Sequence, residues 1–436
     1  TVTTIKPRRG ISGEYWIGTE DEGFFRYSVD ESYARQIIDN RLCLTFNIQQ
    51  ENIQDIVEED EGHLLIATWG DGVIKLFFDP LLQEFTESFS FSTINGLSDN
   101  FVKDILCDRE GNYWFATYGG GLSALLDESM VFYNLSTIGF QDNKAHSVYR
   151  TDSSLYIGLE NGFLKADPFC FTDFSFFDVT MGVPRDEITG FYKSPNGRLW
   201  VATGNNGLYY RDGDNNHFEP FYYTSSLPGK KIRGITGKGD LIYLATVGGF
   251  FEVNIATRQV LHLTTERGLP HNNINFVYKD RNDQLWIGPK SSGICRIENQ
   301  NIEVHKISQT PVDVYGMTED QQGKIWLATQ GKGVLQYSED TLINISVTEG
   351  LAKNFCYSIV ADKTNKLWVT HFPGLSCIDL NSDKIRTFGY EESLGADFYN
   401  AFTDVDQSIW FASSQGVINY FPDKDKDNQV PPQLNF

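Results

Sequence analysis

Several residue groups in this chain have the composition of a reactive or metal-binding site, and their spacing decides what each can do. The seven histidines (His63, His146, His217, His262, His271, His305 and His371) could hold a zinc-activated water. None pair at the HxxxH or HExxH spacing that sets two imidazoles on one helix face. Two strings, Asp212-Gly-Asp214-Asn-Asn216 and Asp423-Lys-Asp425-Lys-Asp427, alternate oxygen ligands as calcium loops do. Both lack the later Glu of an EF-hand, and the second interleaves lysines, so they read as solvated turns. Ala412-Ser-Ser414-Gln-Gly416 has nucleophile-elbow spacing, but such a serine needs a strand–turn–helix around it and the flanks read as strands. Gly119-Gly120-Gly121 has no helix pattern after it and so no phosphate cradle. The six cysteines, Cys43, Cys107, Cys170, Cys295, Cys356 and Cys377, form no CxxC and sit mostly in apolar runs, where a thiol behaves as a small hydrophobe. No catalytic residue, metal site or cofactor is assigned.

Binding chemistry is better represented. Aromatic rings cover the C–H faces of sugars, and planar amides bond pairs of hydroxyls. Trp69, Tyr118, Asn205, Asn206, Gln330, His371 and Phe372 supply those groups and form the candidate ligand set. What unites them is their place in a repeat.

An aromatic or aliphatic anchor followed by small and hydroxyl residues, a Gly and an apolar pair recurs ten times. The anchors are Trp16, Leu65, Trp114, Tyr156, Trp200, Tyr243, Trp286, Trp326, Trp368 and Trp410. From first to last they span 394 residues in nine intervals, about 44 each. Upstream, Asp108, Asp320 and Asp362 open the string D-x-x-[GN]-x-x-W, and Asp280 and Asp404 keep its Asp and Trp. An apolar strand thus runs into an Asp-led turn, with Gly or Asn supplying positive φ, and resumes at the anchor. A third signal, G-L-x-x-N, recurs at Gly96–Asn100, Gly268–Asn272 and Gly350–Asn354, between one unit and the next.

Period-two apolar alternation and a Gly every ten to fifteen residues exclude helical repeats of similar length. Four short strands per unit of 40–45 residues predict an all-β fold, a β-propeller of about ten four-stranded blades. A seven-bladed ring over 137–424, three blades of a preceding ring over 1–136 and a linker over 425–436 are expected. A single ten-bladed ring is the alternative. The anchors then pack between blades. The position four after each anchor falls in the same loop of every blade, and its variety (Trp69, Tyr118, Gln330 and Phe372 among them) is what a recognition rim needs.

The chain has 436 residues and a net charge of −22, which argues against nucleic acid and anionic membrane surfaces as partners. No run of about 18 apolar residues occurs, and Thr1–Gly10 has no apolar signal core, so a mature or excised piece is expected.

The G-L-x-x-N, D-x-x-G-x-x-W and following G-[LV] strings, cleanest over 95–126, 267–298 and 349–380, resemble the two-component regulator propeller repeats of Bacteroidetes-type sensor proteins. The units at Leu65, Tyr156 and Tyr243 depart from that pattern by losing the Trp. The Asp-led turns are also similar to sialidase Asp boxes, with one residue more between Asp and Trp. The first resemblance implies a non-catalytic sensor region, periplasmic or extracellular, tethered to the inner membrane through a C-terminal part. It implies an oligosaccharide or similar small ligand, and a following β-sandwich domain and kinase to receive the signal; Val430–Phe436 resembles the Pro-rich start of that sandwich. A dimerising or protein-interaction scaffold is the alternative, and a propeller glycosidase or lyase the remote one.

Overall fold

The computed structural model describes residues 1–425 except 31–34, 40, 60–61, 83, 110, 126–127, 141–143, 152, 168–173, 214–216, 222–230, 299, 309, 339–342, 389–395 and 404–407. Residues 214–216 of the first acidic string, Asp427 of the second and the linker from 426 onward lie outside the described residues. The fold is an all-β propeller of antiparallel sheets, nearly all four-stranded. Its contacts divide into two units, Thr1–Ile138 with Asp423–Phe436, and Gly139–Pro422.

The first unit holds blades 1 (2–39), 2 (53–91) and 3 (102–125), with four, four and three strands. Their inner strands, Val2–Pro7, Ile53–Glu58 and Val102–Cys107, lie side by side. The second unit holds blades 4 (147–177), 5 (188–220), 6 (232–263), 7 (274–305), 8 (314–345), 9 (358–388) and 10 (398–420). Each inner strand adjoins that of the next blade, and Phe398–Thr403 of blade 10 lies against Ser147–Thr151 of blade 4. The ring therefore closes on seven blades, which sets aside a ring of ten.

The repeat signals each have a physical task. In blades 7, 8 and 9 the Asp that opens the turn uses both carboxylate oxygens. Asp320 Oδ1 accepts from the backbone N–H of Gln322 (2.8 Å) and Lys324 (3.0 Å), while Oδ2 accepts from the Trp326 indole (3.0 Å). Asp280 holds Trp286 (2.9 Å) and Asp362 holds Trp368 (3.2 Å) in the same way. In blade 5, Ser194 stands in for the Asp and takes the Trp200 indole at 3.2 Å. The turn needs a left-handed residue three after the Asp, and Gly323 sits there at φ 79°.

In G-L-x-x-N the Asn reaches back to pin a short 3-10 turn: Asn354 Oδ1 accepts from Val347 N at 2.9 Å, and Asn272 Oδ1 from Thr265 N at 2.7 Å. The Leu that follows the Gly is buried between two blades. Leu351 packs with Trp326 and Val334 of blade 8 and with Ile359 and Leu367 of blade 9. Leu97 does the same between blades 2 and 3 of the first unit, and Leu269 between blades 6 and 7. Hydrophobic burial therefore runs between neighbours around each unit, about 1.5–3 kcal/mol for each fully buried large side chain.

Candidate functional site

The inner strands of the seven-bladed ring surround a cavity of about 790 Å³. Its walls come from the inner strands along much of their length, where the pleat turns alternate side chains toward the axis. Aromatic rings fill one side. His146 (blade 4) lies against Tyr399 (blade 10), centroids 5.1 Å apart. Tyr399 meets Phe372 (the loop of blade 9) edge-on at 5.1 Å, and Phe372 stacks on Tyr357 (blade 9) at 3.9 Å. Tyr315 (blade 8) continues the row, 6.0 Å from Tyr357.

The remaining blades add polar groups beside the rings of Phe191, Tyr192, Phe276 and Tyr278. Lys231 and Arg233 come from blade 6 and Asn275 from blade 7, with Glu187 just before the inner strand of blade 5. Arg233 Nη1 donates to Asn275 Oδ1 at 2.6 Å, and Asn275 Nδ2 donates to the Val314 carbonyl at 3.1 Å. His146 joins the aromatic row to these polar groups: its Nδ1 is 3.3 Å from Glu187, and its Nε2 is 3.3 Å from Glu160. Burial raises the phenols of Tyr149, Tyr315 and Tyr357 above the usual tyrosine range. Each therefore keeps its proton near neutral pH and can donate a hydrogen bond.

Of the seven candidate residues, Phe372 lines this cavity, 36% exposed. Gln330 touches its edge, its Oε1 accepting from the Tyr315 hydroxyl at 3.4 Å. Asn205 and Asn206 are engaged elsewhere: their amides and backbone N–H groups all bond the carboxylate of Asp186, with Nδ2–O distances of 3.0 and 2.8 Å. They shape the loop of blade 5.

His371 is enclosed by the protein. It is 0% exposed, its Nδ1 lies 3.0 Å from the Phe355 carbonyl and its Nε2 2.9 Å from the Ser376 hydroxyl. Burial also lowers its pKa, so it is a neutral packing residue.

Trp69 and Tyr118 belong to the other unit, where the structure brings them together. Their centroids are 5.2 Å apart, Phe101 is 5.2 Å from Trp69, and Lys103 Nζ sits 4.4 Å over the Trp69 ring. Tyr118 is 72% exposed. This is an open aromatic patch in which a cation covers the Trp69 face and the exposed Tyr118 ring is left where a planar ligand face could rest.

Sequence reasoning looked for the site in the loops and overlooked the inner strands. His146, Arg233, Asn275, Tyr315, Tyr357 and Tyr399 read as ordinary strand residues. A signal existed: each lies at the start of an inner strand, and aligning the blades on those starts collects the polar and aromatic side chains.

The repeats match known proteins. Residues 96–119 and 268–290 match the family model described as the two component regulator propeller. Histidine kinase P4 of Formosa agariphila is 24% identical, the match covering 78% of this chain and 23% of the kinase. The extracellular domain of a B. thetaiotaomicron protein assigned to the hybrid two-component systems is 20% identical. It superposes with a TM-score of 0.62 over 97% of this chain and 56% of that one. Virginiamycin B lyase from Staphylococcus aureus, 15% identical, shares the fold over 64% of this chain and 95% of its own, with a TM-score of 0.52. The chain thus spans under a quarter of the curated relative and just over half of the sensor structure. Two of its repeats thus match the two-component regulator propeller model, and its blades share the fold of the extracellular domain above.

Proposed function

We propose that this chain is the ligand-sensing propeller region of a two-component signalling protein, working outside the cytoplasm. It takes a saccharide, or a small ligand of like chemistry, in the cavity of the seven-bladed ring and relays occupancy to a downstream domain. The observation that carries this reading is a cavity lined by both rings and polar groups. An aromatic row from His146 to Tyr315 faces a polar arc of Glu187, Lys231, Arg233 and Asn275. Sugars present an apolar C–H face and a hydroxyl edge, and such a wall matches both. The Trp69–Tyr118 patch is proposed as a second, open contact. A two-component relative and the repeat family support the signalling role.

Calorimetric titration against a broad oligosaccharide panel tests the reading, with Phe372→Ala and Tyr357→Ala in parallel. Binding that weakens about tenfold or more in both variants is expected, since each removes a stacking face. Absence of binding across the panel, together with obligate self-association in light scattering, would favour the scaffold alternative.

One observation favours a second, catalytic reading. His146 lies between two carboxylates at the cavity, as a general base with its orienting groups would. The lyase that shares the fold gives this reading a precedent. Turnover of any bound oligosaccharide that is lost in His146→Ala would establish it.

A further inference from the structure

The polar groups of the cavity have a charge imbalance that points to the class of ligand. Arg233 is half-buried on the inner strand of blade 6, and its guanidinium is held by the amide of Asn275. That amide is oriented from behind, because its nitrogen donates to the Val314 carbonyl and leaves only the oxygen for Arg233. The holder is therefore neutral. Among the described residues no carboxylate lies within ion-pair distance of Arg233 or of Lys231, two residues before it on the same wall.

Several other cations of the chain are paired with carboxylates: Lys75 with Glu59 and Glu128, Arg8 with Glu14 and Glu58, and Lys6 with Asp55. In a chain of net charge −22, carboxylates are the commonest partners at hand. A half-buried guanidinium fixed by an amide keeps its charge uncompensated and its remaining N–H donors available. Glu187, which lines the cavity, lies 3.3 Å from His146 and has no ion-pair contact with Arg233 or Lys231 among the described residues.

We infer that the cavity recognises an acidic saccharide, with the anionic group bound by Arg233 and Lys231 and a sugar ring laid against Tyr357 and Phe372. The inference rests on the saccharide-sensing reading above and narrows it. A guanidinium fork bonds a carboxylate or sulfate through two parallel N–H groups, which a neutral sugar cannot match. Carboxylated and sulfated sugars share this chemistry, and the experiment separates them.

The test is calorimetric titration of the whole chain with short oligogalacturonates, their neutral oligogalactose counterparts and sulfated galactose oligomers, at two salt concentrations. The expected result is that one anionic series binds about tenfold or more tighter than the neutral series, with affinity falling as salt rises. Arg233→Gln should remove that preference, and Arg233→Lys should keep part of it, which distinguishes loss of charge from loss of fold. Tighter binding of the carboxylated series assigns a uronate, and of the sulfated series a sulfated sugar. Equal binding of neutral and anionic series, unaffected by Arg233→Gln, overturns the inference and leaves the saccharide reading standing. No binding by any series overturns both.

Discussion

Replacing Asp320 by alanine perturbs three hydrogen bonds at once and tests whether the repeat's Asp–Trp string is a structural latch. Asp320 is 2% exposed; it holds two turn amides at 2.8 and 3.0 Å and the Trp326 indole at 3.0 Å. Each bond to a charged acceptor is worth about 1.5–3 kcal/mol, but water re-enters the turn and satisfies the two amides in part. Counting the buried indole bond fully and the amides at a fraction gives about 3 kcal/mol. Asp320→Asn keeps an oxygen for the amides and turns an NH₂ toward the indole, so it should cost about half as much.

A chain of ten blades need not unfold in one step, so a local measurement is required. Hydrogen exchange of peptides covering the blade 8 hairpin, residues 314–337, reads local opening. The alanine variant should exchange roughly a hundredfold faster there, with distant blades near parental rates. Trp326→Phe combined with Asp320→Ala should show a coupling of about 1–2 kcal/mol. Exchange within threefold of the parent, or an asparagine as damaging as the alanine, would refute the latch.

Leu351→Ala should cost about 2–4 kcal/mol by opening a cavity between blades 8 and 9, and chemical denaturation checks it. Glu51, in the first unit, is raised to about 7 by burial and by a hydrogen bond with Asp71. Its folded pKa exceeds the unfolded one, so its contribution to stability is full below about 4.5 and is lost as pH rises through about 7. Melting temperature should therefore climb between pH 8 and pH 6, and Glu51→Gln should flatten that rise. Burial pushes the thiols of Cys295 and Cys356 up to about 12, whereas Cys107 is exposed. Iodoacetamide with peptide mapping should modify Cys107 on the folded protein and reach the other two only on unfolding.

The blades were readable in the sequence because their signals are local. Asp, Gly and Trp in D-x-x-G-x-x-W act within one hairpin, and the Asn of G-L-x-x-N acts on a turn seven residues upstream. The cavity depends on closure, which places residues 146 and 399 in contact although more than 250 positions separate them. No window of sequence contains that pairing. His371 misled for a related reason: beside the variable loop position its polarity suggested exposure, yet Phe355 and Ser376 enclose it. Asn205 and Asn206 offered amides for a ligand, and an aspartate from the preceding loop, Asp186, already uses them.

The two repeat signals stabilise at different scales. The Asp–Trp bond lies inside one blade, as in Asp362 with Trp368, whereas the leucine of G-L-x-x-N is shared by two, as Leu351 is. In a chain of coupled units the first sets each unit's intrinsic stability and the second its nearest-neighbour interaction, the two parameters of a one-dimensional Ising description. Blades 7, 8 and 9 have the internal latch, while Tyr156 and Tyr243 replace the anchor Trp in blades 4 and 6. The ring should accordingly lose cooperativity first at blades 4 and 6, leaving the 7–9 arc as the last folded segment.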